Sequence, residues 1–327
     1  MMEKQSVVFK VTLSVLSALF LWRNSRYLFS SFRTRSIEEK PLTDWESQIT
    51  VREGITLNVL YRHHKSNVCF LFIHGLGGQL AQFAHQIRHL SQYGTVFAVD
   101  IVGHGQSTVS ANPGDYAAAV IARDIVAAFV QKTRLDAFNK IILVGHSYGC
   151  PLAVRVANAL SDEAFLTPSA MVLLAPSASM SSKFQQLQSL LGKTPLPLVY
   201  LLRFFDSFNG LFSASVSRLY HKPSFADRIR QLRWNSTTPS FVIKSTVLNA
   251  SLPSQAEYSH LKLPVLLIYG LHDSVTPYDP DVVFVKSALK KATLVVHGVD
   301  SGHLPMWEVP QVTHEHIHSF LKQFKFI

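Results

Sequence analysis

The chain has 327 residues, 47% of them apolar and 16% charged, with fifteen glycines, fifteen prolines and a formal net charge of +10. That length can bury a large core, and the composition excludes a disordered, fibrous or low-complexity protein. Two cysteines, Cys69 and Cys150, are too few for a disulfide framework; both stand in apolar runs, where a buried free thiol is expected.

The positive charge is concentrated in two segments. Residues 1–40 carry seven Lys/Arg and three Glu, residues 178–263 carry ten Lys/Arg and three acids, and the rest is close to balanced. Neither segment has a basic-aromatic ribbon or a zinc-finger spacing, so no nucleic-acid partner is expected; a membrane surface accounts for both better. From Ser6 to Trp22 runs a stretch of seventeen residues with one charge, Lys10, followed by RNSRYLFSSFRTRS with four arginines. As a helix it would measure roughly 25 Å, the lower limit for crossing a bilayer. Three readings of residues 1–40 stand open: an uncleaved membrane anchor, a mitochondrial targeting sequence, or a peripheral amphipathic segment. The expected location is therefore membrane-associated, at the endoplasmic reticulum or the mitochondrion. If the segment is an anchor, the arginines after Trp22 favour a cytosolic catalytic domain.

Beyond it, ITVREGITLNVLYR (49–62) reads as an antiparallel hairpin at a sheet edge. VCFLFIHG (68–75), TVFAVD (95–100), KIILVGHS (140–147), AMVLLAP (170–176), PVLLIYG (264–270) and TLVVHGV (293–299) then read as strands buried on both faces. Helical periodicity falls between them, over Leu80–Tyr93, Asp115–Thr133, Tyr148–Leu160, Pro280–Lys291 and Trp307–Phe326. This alternation predicts an α/β fold with a mostly parallel sheet and helices on both faces. Residues 178–263 break the alternation and are expected to form a helical cap, splitting the core into residues 41–177 and 264–327. The apolar stretch LPLVYLLRFFDSFNGLF within the cap has two readings: most of it packs on the core, or it lines an apolar substrate site or faces a membrane.

Gly145-His146-Ser147-Tyr148-Gly149 follows the KIILV strand directly and opens the next helix. A serine at so sharp a strand-to-helix turn has a strained backbone and a hydroxyl raised above the sheet. The flanking positions pass too close to neighbouring elements for a side chain, hence Gly145 and Gly149. Serine is a poor nucleophile at neutral pH, so a base must take its proton and an acid must orient the base. His303, after the TLVVHGV strand, and Asp273, after PVLLIYG, stand at the strand ends that converge on one crevice of a parallel sheet. His74-Gly75-Leu76-Gly77-Gly78 ends the VCFLFIHG strand, and the N–H groups of Leu76 and Tyr148 are positioned to bind a tetrahedral oxyanion.

With FIHGLGG, VDIVGHGQS, VGHSYG, YGLHDSVTP and SGHLP in this order, the chain from about residue 48 onward resembles an α/β-hydrolase-fold serine hydrolase of the abhydrolase domain-containing family. The resemblance implies Ser147 as nucleophile, Asp273 as acid, His303 as base, and Leu76 with Tyr148 as oxyanion donors. Asp100 and Gly103 to Gly105 would shape their loop. Serine rather than aspartate at the elbow argues against haloalkane dehalogenase and epoxide hydrolase chemistry. Tyr148 replaces the methionine of monoacylglycerol lipases, and Glu308 stands where the acyltransferase-linked pattern has aspartate.

His314-Glu-His-Ile-His318 does not read as a metal site, because on a helix only His314 and His318 share a face. No metal or cofactor is expected. The sequence thus predicts a serine esterase or lipase-like enzyme acting on an ester or thioester of an apolar acyl chain or lipid at a membrane surface. The alternatives are a non-enzymatic adaptor that kept the fold, or a hydrolase of small soluble esters or peptides; protein partners are unknown.

Overall fold

Runs of Val, Ile, Leu and Phe with almost no polar residue between them cannot have a solvent face, so the strands they form need cover on both sides. The computed structural model describes Leu42 and residues 44–133, 138–163, 166–178 and 182–327. Eight strands form one sheet: β1 (Glu46–Arg52), β2 (Ile55–Arg62), β3 (Val68–Ile73), β4 (Thr95–Val99), β5 (Lys140–His146), β6 (Ala170–Leu174), β7 (Val265–Gly270) and β8 (Leu294–Val299). Their order is β1-β2-β4-β3-β5-β6-β7-β8. β1 and β2 make the expected antiparallel hairpin, β2 lies antiparallel to β4, and every later pair is parallel. The α/β architecture expected from the sequence is therefore the one observed.

Side chains alternate between two cores. Along β3, Cys69, Leu71 and Ile73 join Phe97, Phe129 and Leu143 on one face, while Phe70 and Phe72 join Phe83, Val172, Trp234 and Phe320 on the other. Phe70 and Phe72 are fully buried, and each contributes about 1.5–3 kcal/mol by leaving water. Helices α1 (Ala84–Leu90), α2 (Ala118–Thr133) and α3 (Gly149–Glu163) follow β3, β4 and β5. Three expected helices are shorter or broken, and over 80–93 only Ala84–Leu90 is a regular α-helix. Over 280–291 only Val283–Ala288 is a regular α-helix, and the expected 307–326 helix is interrupted at Val309. The cause there is Pro310, whose ring pushes the preceding residue out of the helical region; Val309 sits at φ −135° and ψ 59°.

Between β6 and β7 the described residues form no strand. They make α4 (Ser182–Lys193), α5 (Leu196–Phe208), α6 (Phe225–Thr237), α7 (Ser240–Asn249) and α8 (Gln255–Ser259). Ser224 starts α6 by accepting the Asp227 N–H, and the Asp227 carboxylate accepts the Ser224 N–H in return. The reading in which most of the apolar α5 stretch packs on the core is overturned. Val199 is the buried residue of α5, whereas Leu198, Leu201, Leu202 and Phe205 are 44–57% exposed. The helix has more apolar positions than one contact stripe can use, and only its edge toward the rest of the insertion is covered.

Among the described residues no helix is long and apolar enough to cross a membrane. Residues 1–40, read from the sequence as an anchor or targeting segment, lie outside the described residues.

Candidate active site

The chain leaves β3 toward β4 on one side, yet β3 also pairs with β5 on the other, with Ile73 opposite Gly145. Crossovers part at that point and leave a crevice beyond the carboxyl ends of the strands. Ser147 stands at its floor with φ +51°, a left-handed conformation that costs a non-glycine residue about 1–2 kcal/mol. The strain is held from outside: the Ser147 N–H donates to the Leu174 carbonyl at the end of β6, and the Ser147 carbonyl accepts from Cys150 and Ser177. A Cβ on Gly145 would come within 2.7 Å of the Gly149 carbonyl oxygen, and one on Gly149 within 2.0 Å of the Ile73 oxygen. Both glycines are thus required by close approach.

Asp273 and His303 meet beside it. His303 Nδ1 donates to Asp273 Oδ2 at 2.8 Å, with both side chains almost wholly buried. Asp273 Oδ1 accepts the N–H groups of Val275 and Thr276, and the Thr276 hydroxyl donates to Oδ2 at 2.8 Å. Burial pushes the Asp273 carboxyl up, but the His303 ring and these hydrogen bonds outweigh it and hold it below the usual carboxylate range. The carboxylate is therefore ionised at neutral pH and fixes His303 with Nδ1 protonated, leaving Nε2 as the basic atom. Among the described residues no hydrogen bond ties the Ser147 hydroxyl to the His303 ring; such bonds are commonly long before substrate arrives.

Ser147, His303, Leu76 and Tyr148 all line one cavity of about 830 Å³. The insertion supplies most of its roof, through Phe184, Leu187, Tyr200, Phe204, Ile243 and Val247. The Tyr148 ring is buried, and burial raises its phenol. Neither the Leu76 nor the Tyr148 N–H has a backbone acceptor among the described residues. Arg203 also reaches the lining, its guanidinium donating to the carbonyls of Thr238 and Asn235 and so joining α5 to α6 and α7.

Residues 68–310 match the alpha/beta hydrolase fold family. The chain belongs to the α/β-hydrolase family. It is 29% identical to an abhydrolase domain-containing protein of Schizosaccharomyces pombe over 78% of this chain and 70% of that one. With protein ABHD8 of Homo sapiens it shares 24% identity over 85% of this chain, and it spans 58% of that protein's length. Solved structures similar in fold include an esterase of Exiguobacterium antarcticum (TM-score 0.67, 17% identity, 84% of this chain and 99% of that one). A membrane phospholipase A described as a bacterial virulence factor also matches (TM-score 0.65, 19% identity, 98% of this chain and 99% of that one).

Sequence patterns single out His74 and Asp100 of this α/β hydrolase but not His146. His146, beside the serine, is fully buried and held neutral by burial and the neighbouring His303, its pKa pushed down to about 3. Its Nε2–H donates to the His303 carbonyl at 2.9 Å, so it props up the His303 backbone. His74 is likewise buried and neutral; Nδ1 donates to the Gly75 carbonyl at 2.7 Å and Nε2 accepts the Ile101 N–H at 3.0 Å. It thereby joins the loop bearing Leu76 and Gly77 to the loop after β4. Asp100 is structural: it accepts from the Leu80 and Gln106 N–H groups and from the Asn58 amide.

Glu308 accepts three backbone N–H groups, those of Gly302, His221 and Lys222. It therefore binds the segment before α6 to the loop of His303, which itself donates its N–H to the Leu219 carbonyl. His314 and His318 share a face, as helix geometry requires, and both meet His89.

Proposed function

We propose that this α/β hydrolase is a serine esterase that cleaves an ester or thioester of an apolar acyl chain. The observation that carries the reading is the buried Asp273–His303 pair, whose histidine lines the same cavity as the strained Ser147, under a largely apolar roof. In this mechanism Ser147 Oγ attacks the acyl carbonyl while His303 Nε2 takes its proton. The charge that develops on the carbonyl oxygen is met by the N–H groups of Leu76 and Tyr148, helped by the N-terminus of α3. His303 returns the proton to the leaving oxygen or sulfur, which departs as alcohol or thiol. Water, deprotonated by His303, then releases the acid and restores Ser147.

The same reading draws the substrate from a lipid surface. Leu198, Leu201, Leu202 and Phe205 are exposed at helical spacing on α5, whose other edge lines the cavity through Tyr200 and Phe204. The ten Lys/Arg against three acids of residues 178–263 suit an anionic headgroup layer, each near-surface cation contributing up to about 1 kcal/mol.

The test is labelling of the purified chain by a fluorophosphonate, wild type against Ser147→Ala, followed by a p-nitrophenyl ester series from acetate to decanoate. Labelling confined to wild type, with preference for the longer esters, supports the reading. Preference for acetate would transfer it to small soluble esters, and a folded wild type that does not label would leave a non-enzymatic adaptor. Sedimentation with anionic vesicles at rising salt tests the surface: binding that is absent or independent of salt overturns that part.

A further inference from the structure

Outside the cavity lining, the segment before α6 brings His221 over the loop that follows β7. Its ring stacks on that of His272, with centroids 3.6 Å apart and 9° between the planes. Both Nε2 atoms approach one oxygen, Asp300 Oδ1, His221 at 3.8 Å and His272 at 3.0 Å. The three donor atoms lie within 4.8 Å of one another, although the residues come from three separate segments. Around a tetrahedral zinc ion, with bonds of about 2.0–2.2 Å, neighbouring ligand atoms stand about 3.3–3.6 Å apart. The two observed separations bracket that value.

We propose that His221, His272 and Asp300 form a binding site for zinc or a similar borderline divalent cation, with the remaining position left to solvent. Two imidazoles and one carboxylate suit zinc, whereas magnesium and calcium call for an oxygen shell. The rings must splay from their stacked arrangement to direct both lone pairs at one ion; as side chains 28% and 45% exposed they can do so by rotation about their own bonds. Lys222 Nζ, 3.1 Å from Asp300 Oδ2, is the resident cation the metal would have to displace. The thiols do not compete, because Cys69 and Cys150 are both buried.

The position gives the site a consequence. His272 precedes Asp273, Asp300 lies on the loop of His303, and His221 belongs to the insertion segment whose Leu219 carbonyl holds the His303 N–H. An ion bound there ties the insertion to both loops, so it stabilises the fold and restrains movement of the roof over the cavity.

The experiment is isothermal titration of the chelator-treated full chain with zinc chloride, alongside thermal unfolding with and without zinc. Wild type is expected to bind one zinc ion that raises Tm. His221→Ala, His272→Ala and Asp300→Asn are each expected to lose more than about tenfold in affinity, while Lys222→Ala gains. Circular dichroism of each variant, with His272→Gln as a second replacement, separates loss of a ligand from loss of fold. No binding by wild type overturns the proposal. So does binding that survives all three ligand substitutions, which would place the ion elsewhere, for example on His89, His314 and His318.

Discussion

Glu308 holds His221: the His221 backbone N–H donates to Glu308 Oε2 at 2.7 Å, while Oε1 accepts the N–H of Gly302, next to His303, at 2.7 Å. One carboxylate thus spans the insertion and the loop of the proposed base. Glutamine keeps the length but offers one accepting oxygen where two are used, and aspartate lacks the reach. Glu308→Gln is expected to lose about 1.5–3 kcal/mol in equilibrium urea denaturation, with ester hydrolysis reduced in both variants. An unchanged midpoint would contradict this role.

Ser147 carries backbone strain at the proposed nucleophile position. At φ +51° glycine is at ease and serine is not. Ser147→Gly should therefore abolish hydrolysis while raising stability by about 1 kcal/mol, read from the urea midpoints of the two proteins. A destabilised glycine variant would show that the turn is held by the side chain instead.

Thr276 donates to Asp273 Oδ2 at 2.8 Å and shares its hydroxyl with the Ala175 carbonyl at 3.1 Å. Valine has nearly the same shape without the hydroxyl. Thr276→Val is expected to lower kcat/KM for a p-nitrophenyl ester by about tenfold, the equivalent of one charge-assisted hydrogen bond, with KM little changed.

Acid should unfold this protein early. Burial depresses several histidines, among them three that are fully buried, with neighbouring histidines adding to it at His74 and His146: His74 and His146 to about 3 and His104 to about 4. The unfolded chain binds their protons more readily, so stability rises with pH from about 3 to about 6.5 and levels off above that. Each contributes on the order of 2 kcal/mol of this loss at pH 5. Asp100, raised by burial to about 6, works in the opposite direction and offsets part of it. Urea midpoints measured between pH 5 and pH 7.5 check the sign: a flat profile would mean the histidines are reached by water.

Ile243 reaches over the loop of Gly77, its Cδ1 3.6 Å from where a Cβ there would lie, and it lines the cavity. Ile243→Trp should fill acyl space beside Ser147. The expected result is a KM increase for the decanoate ester with the acetate ester nearly unaffected; equal effects on both would place the acyl chain elsewhere.

By itself the sequence determined the sheet and the residues at its strand ends. Doubly buried strands are written as continuous apolar runs, and Gly145, Ser147 and Gly149 are forced by a local turn, so both features are legible within a few neighbouring positions. The pairing of Asp273 with His303 was approachable because parallel strands end on one edge. What only the tertiary structure decided was how distant segments meet there. His146 becomes a prop for the His303 carbonyl and Glu308 a clasp on the insertion, through contacts between residues 157 and 87 positions apart. The exposure of Leu198, Leu201, Leu202 and Phe205 was likewise beyond the sequence, since an apolar stripe looks the same whether it meets a core or not. Local geometry repeats along the chain and can be read from it, whereas which surfaces come together is fixed only when the sheet twists and the insertion closes over its edge.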